Sequence, residues 1–355
     1  MNAYLRRSVD AAEGYVPGEQ PRPGEVKLNT NENPFPPSPR VRELLQGWDT
    51  GRLRIYPEPT SRALREAAGR VWGLPAENIL AGNGSDEILA MLFRAVLEPG
   101  ERVVFTEPSY ILYDTLTRLF DGVPAPLPCG PDFSLPEELD QAPARLVLLA
   151  SPNPPAGRSW PNDYIARICR ANLGRGVVVV DEAYVDFADA NALPLLSHYE
   201  NLVIARTLSK SYSLAGLRVG FALGSPAVLE GMDKVRDSYN VDCLAQAIAV
   251  AALEDQEYFS GNVSFLRSER RRVREGLMAL GFHVPESQAN FVFASHPAIS
   301  GRDLFVRLRE RGLLYRYFSR PGMNHGVRIT IGAAEHNDRL LAAAAEILAS
   351  TRVRA

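Results

Sequence analysis

Val177-Val-Val-Val-Asp181-Glu-Ala-Tyr184 is the stretch that decides the fold. Four consecutive β-branched residues favour an extended backbone, and a run that is apolar on both faces needs cover on both sides of its sheet. An acid straight after such a run sits at the edge of a dry interior, where a carboxylate needs a cationic or hydrogen-bonding partner. Moving outward, the pattern repeats. Val103 to Phe105, Leu146 to Ala150, Leu202 to Ala205 and Val219 to Leu223 are short apolar runs separated by helical patterns, the signature of βαβ units and a largely parallel sheet.

The helices between them have readable ends. Ser61 opens one with Leu64, Ala67, Ala68 and Val71 on one face and a stop at Gly73; another runs from Ser85 to the Pro99-Gly100 stop. After about residue 260 a long helix is expected, with Leu266, Val273, Leu277 and Leu280 on one stripe and an end at Gly281. Strands at Asn290 to Ala294, Leu313 to Tyr317 and Val327 to Ile331 then predict a second, smaller α/β unit. The proline-rich segment from Pro17 to Pro39 reads as an extended arm.

The chain has 355 residues, enough for about two domains, and its 46% apolar and 23% charged residues are ordinary for a globular protein. With 39 basic and 42 acidic residues it has a net charge of −3 and no basic block, which argues against nucleic acid as a partner. The first residues, with Arg6, Arg7, Asp10 and Glu13, lack an apolar stretch, so neither a signal peptide nor a membrane anchor is expected, and the location expected is cytoplasmic. Cys129, Cys169 and Cys243 lack the spacing of a redox or zinc motif and read as reduced structural thiols. The five histidines are not paired as metal ligands, so no metal is expected.

Ligands of parallel α/β sheets bind beyond the carboxyl ends of the strands. Ser151-Pro-Asn153, Asp181-Glu-Ala-Tyr184 and Thr207-Leu-Ser209-Lys210 each follow an apolar run, and Gly82-Asn-Gly84-Ser85-Asp86 precedes a helix. The glycine segment could be a plain turn, but glycines opening onto a helix N-terminus also form a backbone cradle for phosphate. Lys210, one step past a serine at the end of a buried run, is placed for partial desolvation, which favours imine chemistry. A protonated pyridine nitrogen would be a suitable cation for Asp181.

Asp181-Glu-Ala-Tyr184 followed by Thr207-Leu-Ser-Lys210-Ser-Tyr-Ser-Leu-Ala-Gly-Leu-Arg218-Val-Gly-Phe resembles the fold-type I, class I/II pyridoxal-phosphate-dependent aminotransferases. The aspartate lies 29 residues before the lysine and the arginine eight after it. Leu28-Asn-Thr-Asn-Glu-Asn-Pro34, Tyr56-Pro-Glu-Pro, Glu107-Pro-Ser-Tyr110 and Val327-Arg328-Ile-Thr-Ile-Gly extend the resemblance over nearly the whole chain. It implies an α/β fold with a mostly parallel central sheet in a large domain, residues 45–245, and a smaller α/β domain built from both termini, the arm 1–44 plus residues 246–355.

The resemblance also implies roles. Lys210 would carry pyridoxal 5′-phosphate as a Schiff base and shuttle the substrate proton. Asp181 would hold the pyridine nitrogen, and Tyr184 the ring oxygen O3′. Gly84, Ser85, Asp86, Ser209 and Arg218 would cradle the phosphate, and Tyr110 would stack on the ring. Tyr56 would reach the partner's cofactor in a homodimer. Arg328 and Arg316 would bind the anionic end of the substrate, with Tyr15 and Asn33 lining the entrance. Family members usually read Ser-Pro-Asn-Asn-Pro-Thr-Gly where this chain has Ser151-Pro-Asn153-Pro154-Pro155-Ala-Gly157. Pro154 has no donor for O3′. Either Asn153 reaches the ring or Tyr184 serves O3′ alone.

Within that family the chain looks like the histidinol-phosphate branch, implying transamination of L-histidinol phosphate with 2-oxoglutarate in histidine biosynthesis. The rivals of the same fold are an aromatic amino-acid aminotransferase and an L-threonine-O-phosphate decarboxylase. A Rossmann-type nucleotide binder is disfavoured because no Gly-x-Gly-x-x-Gly follows the first strand.

Overall fold

The computed structural model describes residues 4–10, 18–136, 139 and 144–352. Among these residues the strands are, in chain order, β1 (Val26–Lys27), β2 (Ile79–Gly82), β3 (Arg102–Glu107), β4 (Val123–Pro128), β5 (Leu146–Ala150), β6 (Val177–Asp181), β7 (Leu202–Thr207), β8 (Gly220–Gly224), β9 (Phe291–Ser295), β10 (Leu313–Leu314), β11 (Arg316–Tyr317) and β12 (Gly326–Thr330). Seven of them form a sheet in the order β2-β8-β7-β6-β5-β3-β4, parallel throughout except that β8 runs antiparallel to both β2 and β7.

Side-chain alternation divides the cover of this sheet into two layers. Val147, Leu149, Val178 and Val180 pack with Leu64, Ala67 and Ala68 of the helix Arg62–Trp72 and with Ile165 and Ile168 of the helix Asn162–Asn172. Leu146, Leu148 and Val179 face the other way, against Ile88, Leu89 and Leu92 of the helix Ser85–Val96. The helix Cys243–Leu253 adds Ala245, Ile248, Ala249 and Leu253 to the first layer.

Two strands of this sheet lie outside the apolar runs picked out in the sequence. β2 is only four residues long and ends in glycine. β4 reads Val-Pro-Ala-Pro-Leu-Pro, a pattern that argues against a central strand. It lies at the edge, paired with β3 alone. Val123 donates to Glu101 and Cys129 to Glu107, so the odd-numbered N–H groups face β3 and the prolines fall on the outer edge, where no donor is needed.

A second sheet, β11-β12-β9, is antiparallel and packs against the helices Gln256–Ala279 and Ala334–Arg352 through Val263, Leu266, Val273, Leu340, Ala344 and Ile347. The run Leu313 to Tyr317, expected as one strand, is two. Leu313 and Leu314 pair in parallel with Val26 and Lys27, and after the buried Tyr315 the chain turns to pair Arg316 with Arg328. The arm is therefore stitched down from Val26 onward, and Val26 and Leu28 join the apolar core of this second sheet.

Candidate active site

The end of β6 delivers Asp181 into the interior, where it is 5% exposed. Tyr113 donates its hydroxyl hydrogen to Oδ2 at 2.9 Å and the Ala183 N–H donates to Oδ1 at 3.2 Å. Burial outweighs these two bonds and pushes the carboxyl up to about 6. No ion pair to Asp181 occurs among the described residues. The neighbouring Glu182 is instead matched: Arg206 of β7 reaches its Oε2 with Nε at 2.9 Å and Nη2 at 2.7 Å, tying the ends of β6 and β7 together in the core.

Lys210 lies just beyond β7 in a loop fixed on both sides. The Thr207 hydroxyl donates to Ser209 Oγ at 2.9 Å, and Ser211 donates to the half-buried Asp186 at 2.5 Å. Lys210 Nζ donates to the carbonyl of Thr30 at 3.0 Å and stands 5.7 Å from the centre of the Tyr184 ring. Lys210 and Tyr184 are thus gathered with the N-terminal arm beyond the carboxyl ends of the interior strands β6 and β7, where Asp181 also lies.

A cradle adjoins them at the start of the helix Ser85–Val96. Gly84 occupies the N-cap with φ +83°, so its missing side chain leaves the first N–H groups without a cap. A Cβ on Gly84 would fall 2.6 Å from Arg218 Nη2, and one on Gly220 would fall 2.4 Å from Ser85 N. Glycine at both positions is what lets β8 and Arg218 close on this helix end. Arg218 spans it, 3.2 Å from Asp86 Oδ2 and 3.3 Å from Ser209 Oγ. Tyr110 donates to Asp86 Oδ1 at 2.9 Å, which with burial holds its phenol far above the usual range.

Asn153, expected to approach a ring oxygen, turns its side chain to the neighbouring loop, donating to Pro108 O at 3.0 Å and accepting from Ser109 Oγ at 2.6 Å. Asn33 donates to Ser211 O at 3.0 Å and accepts from Phe35 N at 3.0 Å, so it clamps the arm to the lysine loop. Its neighbour two residues earlier, Asn31, is the one that contacts the site, donating to Tyr184 Oη at 3.0 Å. Tyr113 and Asn31 escaped the sequence reading. Both lie within quoted or adjoining motifs, but only the folded register shows which polar side chain of each turns inward.

Arg316 and Arg328 are direct cross-strand partners, and both guanidinium groups approach Phe318, at 5.7 and 5.5 Å from its ring centre. Arg328 Nη2 also donates to Asn29 O at 2.9 Å, one residue from the carbonyl that Lys210 holds. Tyr56 is 78% exposed and stacks on Tyr239 at 4.5 Å. Tyr15 lies outside the described residues.

A lysine just past β7, a buried aspartate at the end of β6 and a glycine-floored helix N-terminus thus lie beyond the carboxyl ends of the central strands. Residues 23–348 match the family model described as aminotransferase class I and II. The histidinol-phosphate aminotransferase of Rippkaea orientalis is 46% identical over 98% of this chain and 99% of its own length; that of Geobacter sulfurreducens is 44% identical over 97% and 99%. The crystal structure of histidinol-phosphate aminotransferase from Sinorhizobium meliloti in complex with pyridoxal-5′-phosphate superposes with a TM-score of 0.88 at 27% identity, covering 98% of both chains. The chain belongs to the class I and II aminotransferases. Within that class its family is that of the histidinol-phosphate aminotransferases.

Proposed function

We propose that this enzyme transaminates L-histidinol phosphate with 2-oxoglutarate and uses pyridoxal 5′-phosphate to do so. The observation that carries the reading is the placement of Arg328 and Lys210 on adjacent carbonyls of one arm, Asn29 and Thr30. A substrate held by its anionic end at the arginine presents its amine end toward the lysine.

The side chains fit the cofactor. Asp181, a buried carboxylate that among the described residues accepts from the neutral donors Tyr113 and Ala183, suits a protonated pyridine nitrogen. The uncapped helix end with Gly84, Gly220 and the Arg218 fork suits a phosphate. Lys210 would hold the cofactor covalently, with Tyr184 at O3′, Tyr110 against the ring, and Ser85, Asp86 and Ser209 beside the phosphate. Pyridoxal phosphate, when bound, supplies an electron sink for the bond broken at the substrate α-carbon.

The chain's own groups do the rest. Arg328 and Arg316 bind the phosphate of histidinol phosphate or the distal carboxylate of glutamate, which lets one site serve both half-reactions. Lys210 Nζ, once released from the cofactor, takes and returns the proton at the substrate α-carbon. Asp181 stays ionised because its partner is cationic. The Glu182–Arg206 pair fixes the strand ends that carry Asp181 and Lys210.

The division into a 45–245 unit and a second unit from 1–44 and 246–355 is part of this reading. Val26 and Leu28 packing with residues 263–348 supports it, but the helix Cys243–Leu253 packs with the large sheet, so the boundary belongs after Leu253 and not at 245. A homodimer is part of it too, supported by the exposed Leu53, Ile55 and Tyr56 on one short segment. No helix among the described residues is long and apolar enough to cross a membrane. A cytoplasmic location is proposed alongside, and the free thiols of Cys129, Cys169 and Cys243 accord with it.

A substrate panel tests the function. Histidinol phosphate offered with 2-oxoglutarate should give imidazole acetol phosphate and glutamate with the highest kcat/KM. Faster turnover of an aromatic amino acid, or carbon dioxide release from threonine phosphate, would overturn the reading.

A further inference from the structure

Pro154 leaves this chain without a second side-chain donor beside Tyr184, so the direction of that one hydroxyl matters more here. The residue that controls it is Asn31. Its backbone is left-handed, φ +58°, a conformation asparagine tolerates better than most residues, and its side chain is buried.

The hydrogen bonds around Asn31 leave one arrangement of its amide. Asn31 N–H donates to Thr330 Oγ1 at 3.2 Å, so the Thr330 hydroxyl hydrogen is available for Asn31 Oδ1, 2.9 Å away. With Oδ1 thus the acceptor, Nδ2 is the donor, and it points at Tyr184 Oη at 3.0 Å. Asn290 donates to the Asn31 carbonyl at 3.0 Å and locks the main chain. The Tyr184 ring is held edge-on against Phe291, with centroids 4.9 Å apart. A phenol oxygen that already accepts one hydrogen bond turns its own hydrogen elsewhere, and donates more strongly through it.

We propose that Asn31 is a positioning residue that, oriented by Thr330, forces the Tyr184 hydroxyl to act as a donor toward the ligand. This rests on the reading of Tyr184 as the contact to the cofactor's ring oxygen. Thr330 shares a strand face with Arg328, two residues earlier, and the Asn29 carbonyl held by Arg328 is two residues before Asn31. The relay therefore runs from the anion-binding arginine to the tyrosine along one arm. It is a contact set made by parts of the chain far apart in sequence.

The test is a spectroscopic pH titration of the bound chromophore in the holoenzyme, with cofactor affinity measured alongside. The titratable groups around Tyr184 are Lys210, Tyr110 and Tyr113, and all three are left intact. A donor to an anionic ring oxygen favours its ionised form, so Tyr184→Phe should raise the midpoint by about one pH unit. Asn31→Asp keeps a residue that tolerates the left-handed backbone but replaces the donor with an acceptor. It should raise the midpoint by at least half as much, and by clearly less once Tyr184 is already Phe, where only the added negative charge acts. Asn31→Gly, which accepts the same backbone, should move the midpoint the same way. Thr330→Val should do so too, with Thr330→Ser restoring the wild-type value.

A midpoint unchanged in both Asn31 variants while Tyr184→Phe shifts it would overturn the proposal and leave the Tyr184 contact standing. An Asn31→Asp shift of equal size with and without the tyrosine hydroxyl would also overturn it. No shift in Tyr184→Phe itself would remove the reading on which it rests.

Discussion

Arg316 and Arg328 stand directly opposite each other on the antiparallel strands β11 and β12. Like charges across a ladder are unfavourable unless an anion lies between or beside them. Arg328→Lys keeps the charge and loses the planar fork, and it should raise KM for histidinol phosphate about tenfold or more with a smaller change in kcat. Arg316→Lys should act in the same direction with a smaller effect. Steady-state kinetics with both substrates checks this, and an unchanged KM for Arg328→Lys would remove the arginine from the site.

Asp181 makes the cofactor-free protein pH-sensitive. Its folded value of about 6 lies above the ordinary 3.8, so the folded state holds the proton more tightly than the unfolded one. Stability must then fall as pH rises between those values, and above about 6 the penalty is fully present, on the order of 3 kcal/mol. Asp181→Asn removes the titration while still offering Tyr113 an acceptor. The apo variant should melt above wild type at pH 7, with the difference closing toward pH 4. With cofactor bound, the variant should lose affinity. Melting curves that differ equally at both pH values would contradict the assignment.

Burial pushes both the Glu182 and Asp186 carboxyls upward, and the Arg206 charge pulls them back. Arg206→Met leaves the buried Glu182 and the half-buried Asp186 without that cation. A loss of roughly 3–5 kcal/mol is expected at pH 7 and less at pH 5, where the acids can take up protons. Denaturant titrations at the two pH values measure it.

Gly84→Ala places a methyl group against Arg218 and asks alanine to adopt φ +83°. The expected outcome is a stability loss of about 1–2 kcal/mol and cofactor affinity down at least about tenfold, since both the cradle and the arginine shift. Equilibrium dialysis with pyridoxal phosphate reports the second quantity. Gly231→Ala, at a half-buried helix position with nothing near its Cβ, serves as the control that should bind normally.

The central strands, and the polar positions that follow them, were legible because burial on both faces leaves a continuous apolar signature, as in Val177 to Val180 and Leu146 to Ala150, with the polar residues starting where it stops. β4 was not legible because its prolines mimic a loop, and only the edge position makes them harmless. The split at Tyr315 was hidden because Leu313 to Tyr317 reads as one extended run, whichever partner each half takes. In the arm, the Asn-Thr-Asn-Glu-Asn stretch signalled a site without showing which asparagine enters it. A positive φ and the bonds to Thr330 of the second sheet turn Asn31 to Tyr184, while Asn33 ties the arm to Ser211 beside Lys210.

The most direct test of the account is borohydride reduction of the holoenzyme followed by peptide mass spectrometry. The yellow absorbance should be fixed irreversibly, the phosphopyridoxyl mass should sit on Lys210, and Lys210→Ala should take up no label. A colourless purified protein that stays unlabelled when supplied with pyridoxal phosphate, or label on another lysine that persists in Lys210→Ala, would contradict it.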